Sequence, residues 1–313
     1  MDVQGRTHIS LQDLLATRHY LHKIALFSSP LQRSPLLGLH QSRLRGRGMD
    51  FDQVRAYQSG DDARSIDWRV TARTGEVHTK VFHEERERPI FILVEQSAHL
   101  FFASTGCFKS VLAAQIASLF AWAGLQHNDR VGGLVFSDTQ LQHIPAHRNK
   151  HSVLQLLQAI ATANQTLQEP MLSETANPLL AALQQARRMT RPGSLIILIC
   201  NERHLDEDNE HLLRRLNAHA ELILVPLSDP LEHHLPALAQ ASFRMGERSI
   251  TLDSRAKILR QQWRLRGQAQ QNAWQNLAKQ LGAPLLPLST ATPVLQQLQA
   301  LSIAGQVSFT GAP

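Results

Sequence analysis

Residues 90–136 read IFILVEQSAHLFFASTGCFKSVLAAQIASLFAWAGLQHNDRVGGLVF. Ile90–Val94 is an unbroken apolar run of strand length, the pattern of a strand covered on both faces. Lys109–Ala123 is rich in small and apolar residues and is long enough for a helix. The turn pair Asn128-Asp129 leads into Arg130–Phe136, a second strand in which Gly132-Gly133 permits close packing of a neighbouring element. Strand, helix, strand is the unit from which parallel sheets are built.

The same alternation continues toward the C-terminus. Leu141–Ile144 reads as a short edge strand and His151–Ala163 as a helix. Asn177–Met189 is another helix, stopped near Pro192-Gly193. Ser194–Cys200 is a central strand by its apolar run, followed by a helix over Leu205–His219 and a strand over Leu222–Pro226. Beyond Ser228 the pattern loosens: a strand over Arg248–Leu252, a long helical stretch over Ser254–Leu281, a last strand at Pro284–Leu288 and a last helix at Thr292–Leu301. This order predicts an α/β fold with a mostly parallel central sheet and helices on both faces. The α/β domain spans 89–304, and 305–313 reads as a flexible tail.

Toward the N-terminus, Ile9–Leu26 has a helical stripe of Leu11, Leu14, Leu15 and Leu21, with Ser10 as its cap. Phe27–Leu39 is a Pro- and Ser-containing connector. Val77–Phe82 alternates like a strand, and the charged run Glu84–Arg88 followed by Pro89 ends it. Residues 1–88 are thus expected to form an N-terminal helix and a charged segment that packs on the domain after it.

That charged segment, Arg43–Phe82, is the densest in charge, glycine and single aromatic residues. Gly46 and Gly48 alternate with Arg45 and Arg47, after Arg43. Gly60-Asp61-Asp62 reads as a turn into a helix from Ala63 to Arg73, capped by Asp61 or Asp62. Arg69 and Arg73 fall at its negative end, and Gly75 stops it. Ile66 and Val70 face the core, and Trp68 is expected to be a buried anchor whose truncation costs about 3–5 kcal/mol. Asp61, Asp62, Arg64, Asp67, Trp68 and Arg73 read as a partly buried ion-pair network around one aromatic.

At these residues the chain resembles a known bacterial family. The string Gly46-Arg47-Gly48, Phe51, Arg55-Ala56-Tyr57, Gly60-Asp61-Asp62, Arg64, Ile66-Asp67-Trp68, Ala72-Arg73 and Glu84-Glu85-Arg86 is similar to the signature of domain-of-unknown-function family 58, and a weaker resemblance runs to about Pro236. The resemblance implies a von Willebrand factor A-like domain after the signature. It also implies work with a MoxR-type AAA+ ATPase in assembling or maturing other protein complexes.

In open α/β sheets, ligands bind beyond the carboxyl ends of the strands. After IFILV the chain reads Glu95-Gln96-Ser97-Ala98-His99. A-type domains carry Asp-x-Ser-x-Ser there and hold Mg²⁺ with a loop threonine and a second aspartate, small hard oxygens in near-octahedral array. Carried over, Glu95 replaces the aspartate and His99 the second serine, while Ser97 is retained. Thr175, or Ser173, is the loop hydroxyl, and Asn201 stands for the second aspartate. Two carboxylates have become one, and imidazole suits magnesium poorly. The expectation is a degenerate metal-ion-dependent adhesion site, with no metal and no other cofactor. Glu95 and His99 holding a different metal is the lesser alternative.

The remaining features exclude more than they propose. His147 and His151 lack the acidic partner of a metalloprotease helix, and His233-His234 reads as an exposed loop pair. No phosphate-binding glycine loop or nucleophile elbow is present. Cys107 and Cys200 are far apart with no CxxC, which argues against a disulfide framework and fits a reducing cytoplasm. No apolar run reaches the ~20 residues of a membrane helix. The formal charge of +6 is mild and does not point to nucleic acid. The sequence therefore favours a non-enzymatic, cytoplasmic, protein-binding adaptor or scaffold. Two rivals are a metal-dependent hydrolase using Asp61, Asp62 and Asp67, and a nucleic-acid binder using Arg43, Arg45 and Arg47, whose prior the nearby acids Asp50, Asp52, Asp61 and Asp62 lower.

Overall fold

A computed structural model describes residues 6–23, 49–58, 61–84, 89–167, 178–245 and 248–303. Gly46, Gly48, Gly60, Arg43, Arg45, Arg47, Ser173, Thr175 and the tail 305–313 lie outside the described residues. The chain divides into two compact units: a smaller one over 32–87, and a larger one made of 1–31 and 88–313.

The chain opens with helix α1 (Leu11–Ala16), which belongs to the larger unit. Ser10 and Asp13 form a reciprocal capping box at its start. The helix expected over Ile9–Leu26 keeps its α-geometry for six residues only and tightens to a 3₁₀ helix over Thr17–Lys23. The carbonyl of Leu14 explains the change. It accepts the Thr17 amide and hydroxyl, the Ser118 hydroxyl at 2.8 Å and the Trp122 indole N–H at 3.3 Å. An acceptor drawn onto these donors leaves the regular i to i+4 ladder.

In the smaller unit, β1 (Met49–Ala56) pairs antiparallel with the strand that closes it, with an irregularity between Phe51 and Gln53. Between the two lie a 3₁₀ turn over Ala63–Ser65 and helix α2 (Trp68–Thr74); β2 (His78–Glu84) follows. The single helix expected over Ala63–Arg73 is therefore two pieces. Asp62 accepts the Arg64 amide at 3.0 Å, and Asp67 accepts the amides of Arg69 and Val70 at 3.0 and 3.2 Å. Two aspartates each capping their own turn pull Ile66 into an extended conformation between them. Arg69 consequently lies in the first turn of α2; Arg73 keeps its place in the last. Gly75 ends α2 at φ 77°, a left-handed conformation that suits glycine. Ile66 bridges to the buried Thr79.

The larger unit continues with β3 (Pro89–Glu95), α3 (Lys109–Gln126), β4 (Arg130–Phe136), β5 (Leu141–His147), α4 (Lys150–Gln165) and α5 (Pro178–Met189). Then come β6 (Leu195–Asn201), α6 (Glu207–Asn217), β7 (Glu221–Ser228), the short α7 (Pro230–His233), and a hairpin of β8 (Ala241–Met245) with β9 (Arg248–Leu252). The long α8 (Lys257–Leu281), a two-residue β10 (Leu288–Ser289) and α9 (Val294–Ile303) complete it. The six-stranded sheet has the order β10-β7-β6-β3-β4-β5, and β5 alone runs antiparallel.

Strand residues alternate between two cores. Ile90, Ile92 and Val94 face the layer of α1, α3, α4 and α9, whereas Phe91 and Leu93 face that of α5, α6 and α8. This is the period-two pattern of a sheet covered on both sides. Helix α3 is buried almost all round, so its sequence shows no polar stripe. Gly133 explains the glycine pair in β4: a Cβ there would sit 2.3 Å from the Ile92 carbonyl oxygen. Helix α8 begins three residues later than expected, because the Ser254 hydroxyl donates to the Pro236 carbonyl at 2.6 Å.

Candidate functional site at the carboxyl rim of the sheet

The carboxyl ends of β3, β6 and β7 form a rim whose charged groups are largely buried. Glu95, at the end of β3, has no exposed surface. Its carboxylate accepts the Ser97 hydroxyl, the Asn201 amide at 2.7 Å and His204 Nε2 at 2.9 Å. Burial pushes the Glu95 carboxyl up, but the charge and hydrogen bond of His204, with Ser97 and Asn201, outweigh it and hold the group below the usual range. Burial pushes His204 down, and Glu95 more than reverses that, so its imidazole titrates above the ordinary histidine. Below the raised titration point of His204 the pair is carboxylate and imidazolium.

The structure brings together four of the five sequence-predicted metal positions: Glu95, Ser97, His99 and Asn201. Their polar groups are engaged with one another. Asn201 donates its side-chain amide to the His99 carbonyl at 3.0 Å and accepts the Arg203 amide at 2.9 Å. Ser97 accepts the His99 amide at 3.2 Å. The His99 ring stacks edge-on against His204 with centroids 4.9 Å apart. Burial and the neighbouring His204 charge depress the His99 imidazole, which stays neutral. A divalent cation set among these groups would meet a His204 ring already bonded to Glu95, while a second carboxylate, Asp138, accepts the Ala98 amide at 2.8 Å. Among the described residues no cluster of three or more His, Cys, Asp or Glu is arranged to hold a metal.

Two further acid–base pairs continue the rim. Lys109, at the start of α3 and 1% exposed, donates to Glu232 Oε1 at 2.8 Å. His233 Nε2 lies 2.9 Å from Glu202 Oε2, and this hydrogen bond raises the imidazole despite burial. His233 is therefore not the exposed loop residue expected; only His234 is exposed. Asp229, just after β7, accepts the Ser104 amide at 2.8 Å, the Ser104 and Thr290 hydroxyls at 2.5 Å each, and the Leu231 amide at 2.9 Å. Burial raises the Asp229 carboxyl, and these donors overcome it and hold it low.

Sequence reasoning missed His204, Lys109, Asp229 and Glu232. For the last two a signal existed: Asp229-Pro230-Leu231-Glu232 is a capping box with proline at the first helical position, and the structure forms it. His204 carries no local signal, since its partner lies 109 residues away.

The signature residues of the smaller unit behave differently. Arg55 donates to Asp61 at 2.8 Å, and Asp61 also accepts the Gln58 amide at 2.9 Å. Asp67 lies 3.6 Å from Lys80. Arg55 and Lys80 are half-buried, and Tyr57 is 38% exposed. Trp68 is 69% exposed and is not the buried anchor expected of it. Asp61, Asp62 and Asp67 each serve different amides. Arg64 is exposed beside its cap, and Arg73 lies exposed in the last turn of α2.

The larger unit is an α/β fold: a mostly parallel six-stranded sheet of this order between two layers of helices. The chain belongs to the family described as "Protein of unknown function DUF58", whose model matches residues 53–273. It is 27% identical over 257 residues to the uncharacterized protein Rv1480 of Mycobacterium tuberculosis, covering 82% of this chain and 79% of that one. It is 24% identical over 211 residues to the uncharacterized protein YeaD of Bacillus subtilis, covering 66% and 46%. Among solved structures, the conserved hypothetical protein BatB of Bacteroides thetaiotaomicron superposes with a TM-score of 0.45 at 12% identity, over 70% of this chain and 98% of that one. The SpRpn10 VWA domain does so with a TM-score of 0.36 at 12% identity, over 73% and 99%.

Proposed function

We propose that the chain is a non-enzymatic adaptor that binds another protein, working in the cytoplasm with a MoxR-type AAA+ ATPase in the assembly or maturation of protein complexes. One observation carries the reading: the carboxylate that ends β3, Glu95, is buried and already accepts hydrogen bonds at both oxygens, from Ser97 and His204 at Oε1 and from Asn201 at Oε2. A general base or metal ligand needs a free lone pair directed at its substrate or ion; Glu95 has its oxygens committed to internal donors. In this reading the rim works without Mg²⁺, and His204 supplies the positive charge that balances Glu95. Among the described residues no helix is long and apolar enough to cross a membrane, which is consistent with a cytoplasmic site of action.

The test is binding of the full chain to a purified MoxR-type ATPase from the same cell, measured with and without ATP. Saturable, nucleotide-dependent association supports the adaptor. An ATPase that never associates, together with a divalent-metal-dependent hydrolysis lost in Asp61→Asn or Asp62→Asn, replaces it with the hydrolase.

A further inference from the structure

Helix α8 and the residues just after α7 form a cationic groove. Lys257, Arg260, Gln261 and Arg264 recur at helical spacing along one face, and with His234 and Leu235 they line a groove of about 480 Å³. The first turn of α8 contains no acidic residue. Arg255, just before the helix, is held by Asp253 at 2.9 Å. No ion pair among the described residues engages Lys257, Arg260 or Arg264. Beside the cations, Ile258 and Leu265 are seven residues apart and so fall on one strip of the helix, 73% and 57% exposed. Leu235 forms an apolar floor, 6% exposed.

We propose that this groove docks an acidic amphipathic segment of a protein partner, its carboxylates on Lys257, Arg260 and Arg264 and its apolar side chains on Leu235, Ile258 and Leu265. The proposal goes beyond the adaptor reading and rests on it only for the partner's being a protein. Charge complementarity requires an anionic occupant, and guanidinium groups suit carboxylates through paired N–H donors. The exposed isoleucine and leucine require an occupant with its own apolar groups. Nucleic acid fits less well. Single strands bind where bases stack on aromatic rings, and the nearby indole, Trp263, is partly buried and donates to the Leu231 carbonyl at 2.9 Å. A membrane surface fits less well because the cations line a concavity. From Lys257 to Arg264 the helix rises about 10 Å, the length of two turns of a partner helix.

The test titrates the full chain with a labelled synthetic helical peptide carrying Glu at i, i+3 and i+7 and Leu on the adjoining strip. The same peptide with Gln for Glu, a single-stranded oligonucleotide and phosphatidylglycerol vesicles are run in parallel. We expect the Glu peptide to bind, and to bind more weakly as salt is raised, because exposed charges are screened beyond about a Debye length. Both the Gln peptide and the R260E/R264E chain should bind at least about tenfold more weakly, with thermal unfolding of the variant unchanged. Ile258→Ser should give a smaller loss. Equal binding by R260E/R264E overturns the proposal, and so does tighter, arginine-dependent binding of the oligonucleotide or the vesicles. The ATPase titration is read separately on both chains. An ATPase bound by neither removes the adaptor reading, while the peptide titration alone judges the groove.

Discussion

The carboxyl rim of the sheet and the charged signature between β1 and β2 use the same residue types to opposite ends. At the rim, three acid–base pairs, Glu95–His204, Lys109–Glu232 and Glu202–His233, are withdrawn from solvent. In the signature, Arg55–Asp61 and Asp67–Lys80 leave their cations 38% and 40% exposed, and Asp62 and Asp67 cap short helices. Coulombic attraction is strong only where water is excluded, and breaking a buried pair leaves an uncompensated charge. Exposed pairs contribute little. Density of charge along a sequence is thus a poor guide to where charge holds a fold. The best-buried pairs here come instead from sparse charges at the rim.

The largest effect should come from the best-buried pair. Glu95→Ala or His204→Ala leaves one charge without its partner, and should lower stability by about 3–5 kcal/mol in denaturant unfolding. Loss of less than about 1 kcal/mol, the size of an exposed pair, would erase the contrast between the two regions. Next comes Asp229→Asn. The amide cannot accept all four donors, and removal of hydrogen bonds to a charged group costs about 1.5–3 kcal/mol each at most. The loop at Ser104 should become more accessible to hydrogen exchange in this variant.

The pH profile sharpens the comparison further. His204 and His233 titrate above the ordinary 6.5. The stability they contribute is fully present below pH 6.5 and is lost as pH rises through their folded values. Glu95 and Asp229 are depressed from 4.5 and 3.8. Their contribution is present above those values and is lost as pH falls through the folded ones. Urea midpoints should therefore peak between about pH 4.5 and 6.5 and decline on the alkaline side, with a shallower decline in His233→Gln. Midpoints that stay flat from the peak to alkaline pH would show that the histidines are uncoupled from folding.

The smallest effects belong to the signature. Trp68→Ala should change stability by no more than about 0.5 kcal/mol, as for an ordinary surface substitution. Asp61→Asn should leave the melting temperature nearly unchanged. A large drop in either, measured calorimetrically, would show that the charged segment is held as firmly as the rim.

The parts of this architecture written in local pattern were legible from sequence. Arg130–Phe136 and Arg248–Leu252 form strands over the residues expected, because apolar or alternating runs bounded by turns leave little choice. β1 and β8 were not legible. Their residues, Met49–Ala56 and Ala241–Met245, mix charge and small groups, and each is fixed by its antiparallel partner rather than by its own period. The break at Ile66 was hidden because two capping aspartates compete over one helical pattern. At the site, position after the strands placed Glu95, Ser97, His99 and Asn201 together. The imidazole of His204 was invisible, since only the folded sheet brings it to Glu95.

The central proposal is that His204, and not a bound cation, is the partner of the buried Glu95 carboxylate. Calorimetric titration of the full chain with Mg²⁺ and with Mn²⁺ tests it most directly. The account predicts no saturable heat from either ion. Micromolar binding that is abolished by Ser97→Ala would contradict it.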